Sequence, residues 1–88
     1  MNIYEATAFK VKFQDGTIAQ VEEHEYYDLL IIDNQGSIPG TYYFIEDKPT
    51  TMYFCFRDEE GDECHYILEV VEYMFGYSGE WIEVQTNE

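Results

Sequence analysis

The sequence predicts a mostly β (or α+β) single domain over residues 1–88: an antiparallel twisted sheet or open barrel of five to seven strands, with at most one or two short helices. Three observations predict it. Turn-forming clusters recur along the chain at Gln14–Thr17, Asp33–Gly36, Pro39–Gly40, Asp58–Asp62 and Gly76–Gly79. The segments between them are short and rich in β-branched and aromatic residues. Finally, 88 residues at 45% hydrophobic and 18% aromatic support one core and no second domain.

The first hairpin is the clearest element. Ala6, Ala8, Lys10 and Lys12 alternate with Thr7, Phe9, Val11 and Phe13, Asp15-Gly16 is a hairpin dipeptide, and Thr17 to Glu23 returns with Ile18 and Val21 apolar. The next segment, EEHEYYDLLIID, carries two periods. Tyr27, Leu30 and Ile31 fit a helix face, while Leu29 to Ile32 reads as a buried strand. Its length and the Asn34–Gly36 turn favour a strand; a one- or two-turn helix over Glu22 to Leu29 is the alternative.

Thr41 to Glu46 and Thr51 to Arg57 are strand-like, separated by Asp47-Lys48-Pro49. CHYILEVVEYMF is again double-valued. Ile67, Val70, Val71 and Met74 have helical spacing, and Tyr66, Leu68 and Val70 strand spacing. The adjacent valines and the preceding turn favour a strand. Glu80 to Thr86 closes the domain, with Trp81 and Ile82 as anchors.

Charge narrows the function classes. Nineteen acidic residues against four basic ones give a net charge of −15. For a globule of about 12 Å radius of gyration, roughly 31 Å across, that is a net charge every ~2 Å of diameter, against ~1.7 Å per charge along duplex DNA. The same charge disfavours direct nucleic-acid binding and an anionic membrane. MNIYEATAFKVKF has neither the charged start nor the apolar run of a signal peptide, and no apolar run approaches ~18 residues. The expected location is the cytoplasm.

The densest acidic stretch, Asp58 to Glu63, resembles a calcium loop at first sight. From Asp58, offsets 1, 3, 5 and 12 fall on Asp58, Glu60, Asp62 and Glu69. The loop needs glycine at offset 6, where Glu63 stands, and helices on both sides. A charged hairpin turn is the better reading. Cys55 and Cys64 flank it. A turn centred on Glu59-Glu60 sets them opposite one another; one centred on Glu60-Gly61 sets Cys64 opposite Arg57, and the glycine favours the latter. Reduced thiols are expected. His24 and His65 do not complete a zinc spacing with them.

No nucleophile, base or phosphate-loop pattern is present, carboxylate pairs arise by chance among so many acids, and the expectation is a non-enzyme without cofactor or metal. Lys10, Lys12, Lys48 and Arg57 are expected to serve local salt bridges. The acids remain as a surface. Glu22, Glu23, Glu25 and Asp28 form one cluster; Asp58, Glu59, Glu60, Asp62 and Glu63 a second; Glu69 and Glu72, then Glu80 and Glu83, are pairs three apart. Acids two apart on a strand face stand ~6.6–7 Å apart, a spacing a phosphate-binding cleft accepts. An ordinary surface intersperses both signs, and this one does not. Adaptation to high salt ranks lower.

In size and charge over the whole chain, and through no single motif, the sequence resembles the small acidic DNA mimics of phages: anti-CRISPR proteins, anti-restriction proteins and uracil-DNA glycosylase inhibitors. The resemblance implies a decoy that blocks the cationic groove of a basic nucleic-acid-binding protein or complex in the bacterial host, acting as monomer or homodimer. Tyr26, Tyr27, Tyr42, Tyr43 and Tyr77 are candidate anchors at the centre of such an interface. An acidic immunity or antitoxin protein opposing a basic nuclease is the nearest alternative. A self-associating structural protein is the next.

Overall fold

A computed structural model describes residues 3–33, 35–76 and 78–84. The expected features at Asn34, Tyr77 and residues 85–86 lie outside them. Seven strands follow a single 3-10 turn at Ile3–Glu5: β1 Ala8–Lys12, β2 Ile18–Glu23, β3 Asp28–Ile32, β4 Gly36–Ile45, β5 Lys48–Arg57, β6 Glu63–Met74 and β7 Ile82–Glu83. All neighbours are antiparallel and in chain order, and β1 also pairs with β6. That pairing closes β1 to β6 into a six-stranded barrel, with β7 added against β6 at Glu72 and Tyr73.

The all-β alternative holds, and the α+β one does not. Both ambiguous segments are strands. The candidate helix over Glu22 to Leu29 is instead the β2–β3 hairpin, with Val21 opposite Leu30 and Glu23 opposite Asp28. The barrel closes rather than staying open, because Phe9 and Val11 pair with Tyr73 and Val70 across most of the chain. The molecule measures 40 × 28 × 26 Å with a radius of gyration of 12.8 Å.

Alternation places the core. Phe9, Val11, Ala19, Val21, Leu30, Ile32, Met52, Phe54, Leu68 and Val70 point inward and are buried. Each large one contributes about 1.5–3 kcal/mol of burial. Aromatic rings close both ends. Phe9 meets Tyr42 and Phe44 edge-on at 5.2 and 5.6 Å, and Tyr4 covers Phe44 at 4.8 Å. At the other end Tyr66 stacks on Phe56 at 5.2 Å and meets Phe13 at 5.0 Å. Trp81 is half-buried, under the ammonium of Lys10 at 4.6 Å; Ile82 is exposed and anchors no core.

Pro39-Gly40 reads as a turn and is not one. Both residues lie inside β4, where the strand leaves β3 and joins β5: Asp28 opposes Gly40, and Thr41 opposes Cys55. The N–H of Tyr42 goes to Asp28 on the β3 side, so alternation turns the nitrogen of Pro39 toward β5, where the ladder has already stopped. A proline is tolerated at such a position. Gly40 is required by proximity. A β-carbon there would collide with the carbonyl oxygen of Cys55 and stand 2.8 Å from the Phe54 ring.

Candidate functional site

The acidic loop Asp58–Asp62 repeats the turn geometry of the first hairpin. Phe13 N–H donates to Thr17 C=O and Gly16 N–H to Phe13 C=O; Asp58 N–H donates to Asp62 C=O and Gly61 N–H to Asp58 C=O. Gly16 and Gly61 both take positive φ, 94° and 85°. This is the three-residue hairpin loop with glycine in the left-handed position. It centres the β5–β6 register on Glu60, between the two registers the sequence suggested. Arg57 opposes Glu63, Phe56 opposes Cys64, and Cys55 opposes His65. The cysteines therefore point to opposite faces and are free.

Asp58 builds this loop. Its Oδ1 accepts N–H bonds from Glu60 at 3.0 Å and Asp62 at 2.9 Å. Arg57 donates to the Gly61 carbonyl at 2.9 Å. The Cys64 sulfur lies 3.7 Å from Asp58 Oδ2, and its pKa is raised by desolvation and then by the Asp58 and Asp62 carboxylates. Strands, not helices, flank the loop, and Glu69 stands far up β6. Among the described residues no three His, Cys, Asp or Glu side chains converge to hold a metal ion.

Other acids are also engaged. Asp28 Oδ2 accepts the Tyr42 N–H at 3.1 Å; burial raises its pKa, with that hydrogen bond and His24 opposing. Tyr42, a candidate anchor, is half-buried and points inward. Burial first, then the Glu23 and Asp28 carboxylates, holds its phenol well above the usual range. Glu22 receives Gln20 at 2.7 Å and stands 3.5 Å from His24, whose ring stacks on Tyr27 at 5.5 Å. Glu69 receives the hydroxyls of Thr50 and Thr51 at 3.0 and 2.8 Å. Glu72 pairs with Lys10 at 3.3 Å.

Glu69 and Glu72 share the outer face although three positions apart. The register skips Val71 between Val11–Val70 and Lys10–Glu72, and this bulge restores the parity. Of the cations, Lys10 has a salt bridge as expected, and Arg57 uses a backbone carbonyl instead. No ion pair forms at Lys12 or Lys48 among the described residues. Glu25, Glu59, Glu60 and Glu63 are exposed, with carboxylates that make no hydrogen bond or ion pair among the described residues.

The two main clusters do not merge into one sheet face. Strand direction alternates, so the β2–β3 and β5–β6 hairpins turn at opposite barrel ends. The stagger of the strands, with Asp28 opposite Gly40 and Thr41 opposite Cys55, nonetheless brings Tyr27 and Glu63 to one open cleft of about 630 Å³, lined also by Gly40 and Cys55 where β4 and β5 stop pairing. Glu22 and Glu23 line a different, smaller pocket with His24 and Met74.

Beside the cleft runs an outward strip the sequence did not single out as a unit. Tyr43 opposes Tyr53, and Tyr53 opposes Ile67, across β4, β5 and β6. The Tyr43 and Tyr53 rings are 5.5 Å apart, and Tyr53 meets His65 at 5.3 Å. Tyr43 is 52% exposed. Its phenol is raised by a hydrogen bond with Cys55 and then by desolvation. Tyr26 and Tyr27, in the β2–β3 hairpin, are 87% and 47% exposed. No protein-family model, no curated protein and no solved structure matches this chain.

Proposed function

We propose that the protein is a decoy: it docks its acidic exterior into the cationic nucleic-acid-binding groove of a partner and excludes the nucleic acid. A CRISPR effector or another anti-phage defence protein is the partner class this reading favours. The observation that carries it is negative charge that the chain's own cations leave largely unopposed. Nineteen acids face four cations, and two of those cations are engaged locally, Lys10 with Glu72 and Arg57 with the Gly61 carbonyl.

The engaged acids narrow the contact set. Asp58, Asp28 and Glu69 hold backbone N–H groups or hydroxyls of their own chain. Within the two main clusters, Glu25, Glu59, Glu60, Asp62 and Glu63 are the carboxylates left to meet lysines and arginines. Charge of this kind speeds association and makes it salt-sensitive.

A salt-stepped pull-down tests the reading. The immobilised protein is challenged with bacterial lysate and with purified Cas effector complexes. Basic nucleic-acid-binding proteins are retained at low salt, released at high salt and displaced by competing DNA. If no basic protein is retained at low salt, the decoy reading falls.

A further inference from the structure

The Tyr43–Tyr53–His65 strip lies on a convex outer sheet face that no part of the described chain covers. Three rings run in contact across three strands, and Ile67, 38% exposed, extends the apolar run along β6. Alternation along β6 places Glu63 and Glu69 on the same outward face, one at each end of His65 and Ile67. The free carboxylates of Glu59 and Glu60 lie just beyond Glu63 at the hairpin tip. Among the described residues, Arg57 stands opposite Glu63 with its Nη1 directed to the Gly61 carbonyl, and Lys12 stands opposite Glu69 on β1.

Exposed aromatic faces rimmed by carboxylates suit one kind of side chain. A guanidinium stacks flat on a tyrosine ring, is more weakly hydrated than an ammonium, and pairs with carboxylates through its edge. Stacked rings also serve single-stranded nucleic acid, but a chain at −15 repels the phosphate backbone.

We infer that the Tyr43–Tyr53–His65 strip is the centre of the docking surface and takes an arginine-bearing segment of a basic protein, with Glu63 and the neighbouring Glu59 and Glu60 pairing with the guanidinium groups at the hairpin end. This rests on the decoy reading and adds to it. Charge brings the partner in, while the strip selects arginine over lysine.

The test uses an oligoarginine and an oligolysine peptide of equal length, titrated calorimetrically and by amide chemical shift. Wild type binds oligoarginine several-fold more tightly, with shifts centred on residues 43, 53 and 65. Tyr43→Ala and Tyr53→Ala each lose roughly two- to fivefold for oligoarginine and leave oligolysine unchanged. Tyr43→Phe retains the preference. Tyr43 is the more exposed ring, so its alanine variant keeps the test valid if Tyr53→Ala does not fold.

Equal affinity for the two peptides, or shifts centred on Glu22 and His24, overturns the inference. So does a tighter complex with single-stranded oligothymidylate. Concentration-dependent sedimentation of the free protein that Tyr43→Ala abolishes makes a second copy the occupant and also overturns it. A basic protein captured equally by wild type and Tyr43→Ala sinks the inference alone and leaves the decoy reading standing. Capture of no basic protein sinks the decoy reading itself.

Discussion

The N–H of Asp62 donates to Oδ1 of Asp58 at 2.9 Å, so the first carboxylate of the acidic loop is a structural acceptor. Asp58→Ala removes that bond and the one from Glu60, and is expected to lower stability by about 1 kcal/mol. Glu59→Gln and Glu60→Gln remove charge that holds nothing and leave stability unchanged or slightly raised. Urea unfolding of the three variants checks the distinction. It also decides how the loop should be tested in binding: neutralising Glu59, Glu60, Asp62 and Glu63, with Asp58 kept, removes charge without dismantling the turn.

Gly40 is expected to tolerate no side chain. The β-carbon of alanine would meet the Cys55 carbonyl oxygen and the Phe54 ring. One is backbone and the other a fully buried ring, so neither yields cheaply. Gly40→Ala should cost about 1–3 kcal/mol, whereas Gly61→Ala meets no atom within 4 Å and suffers only from its φ of +85°. Thermal unfolding of both variants separates collision from backbone strain. A Gly40→Ala protein as stable as wild type would mean that β4 does not cross to β5 at this point.

These two positions also mark what the sequence could reveal. The first hairpin was legible because Asp15-Gly16 and strict alternation act within a few residues. Pro39-Gly40 misled because the same residues serve a turn and a strand that changes partners, and only the partner's location tells them apart. The β5–β6 register lay between the two expected ones because a three-residue loop centres on a residue, Glu60, and not on a bond. Barrel closure and the aromatic strip were out of reach for a related reason. Both depend on which strands meet: Phe9 with Tyr73 in one case, Tyr43 with Tyr53 in the other. The acids were counted correctly from sequence, but counting does not reveal which carboxylates hold the chain's own N–H groups.

Asp28 supplies a pH prediction. Its folded-state pKa is raised above 3.8, chiefly by desolvation. Ionisation therefore costs the folded state more than the unfolded one. That penalty is present at neutral pH and fades as pH falls through the folded value toward 3.8. Asp28→Asn keeps an oxygen for the Tyr42 N–H and removes the charge. It should stabilise modestly at neutral pH, with the gain shrinking as pH is lowered. A gain that grows on acidification contradicts the assignment.

The thiols give a chemical readout of register. Cys55 and Cys64 face opposite sides of the β5–β6 hairpin, so both should react with a thiol reagent in the native protein, and reductant should not alter its mobility. Cys64 has a raised pKa through desolvation and the Asp58 and Asp62 carboxylates. Less thiolate means slower alkylation near neutral pH. Asp62→Asn should speed alkylation of Cys64 and leave Cys55 unchanged. An intramolecular disulfide in the purified protein would require a different register.

Salt should act on folding and docking with opposite signs. At −15 the folded chain concentrates like charge within 12.8 Å of gyration, and self-repulsion lowers its stability. Raising ionic strength from about 0.01 to 0.15 M shortens the screening length from roughly 30 to 8 Å, which is less than the barrel width. The unfolding temperature should rise over that range, while affinity for a basic partner falls. One salt series read by both melting and binding separates the effects. If melting is insensitive to salt, the acids are neutralised by bound cations. If binding is insensitive while melting responds, the charge belongs to solubility, and the interface lies elsewhere.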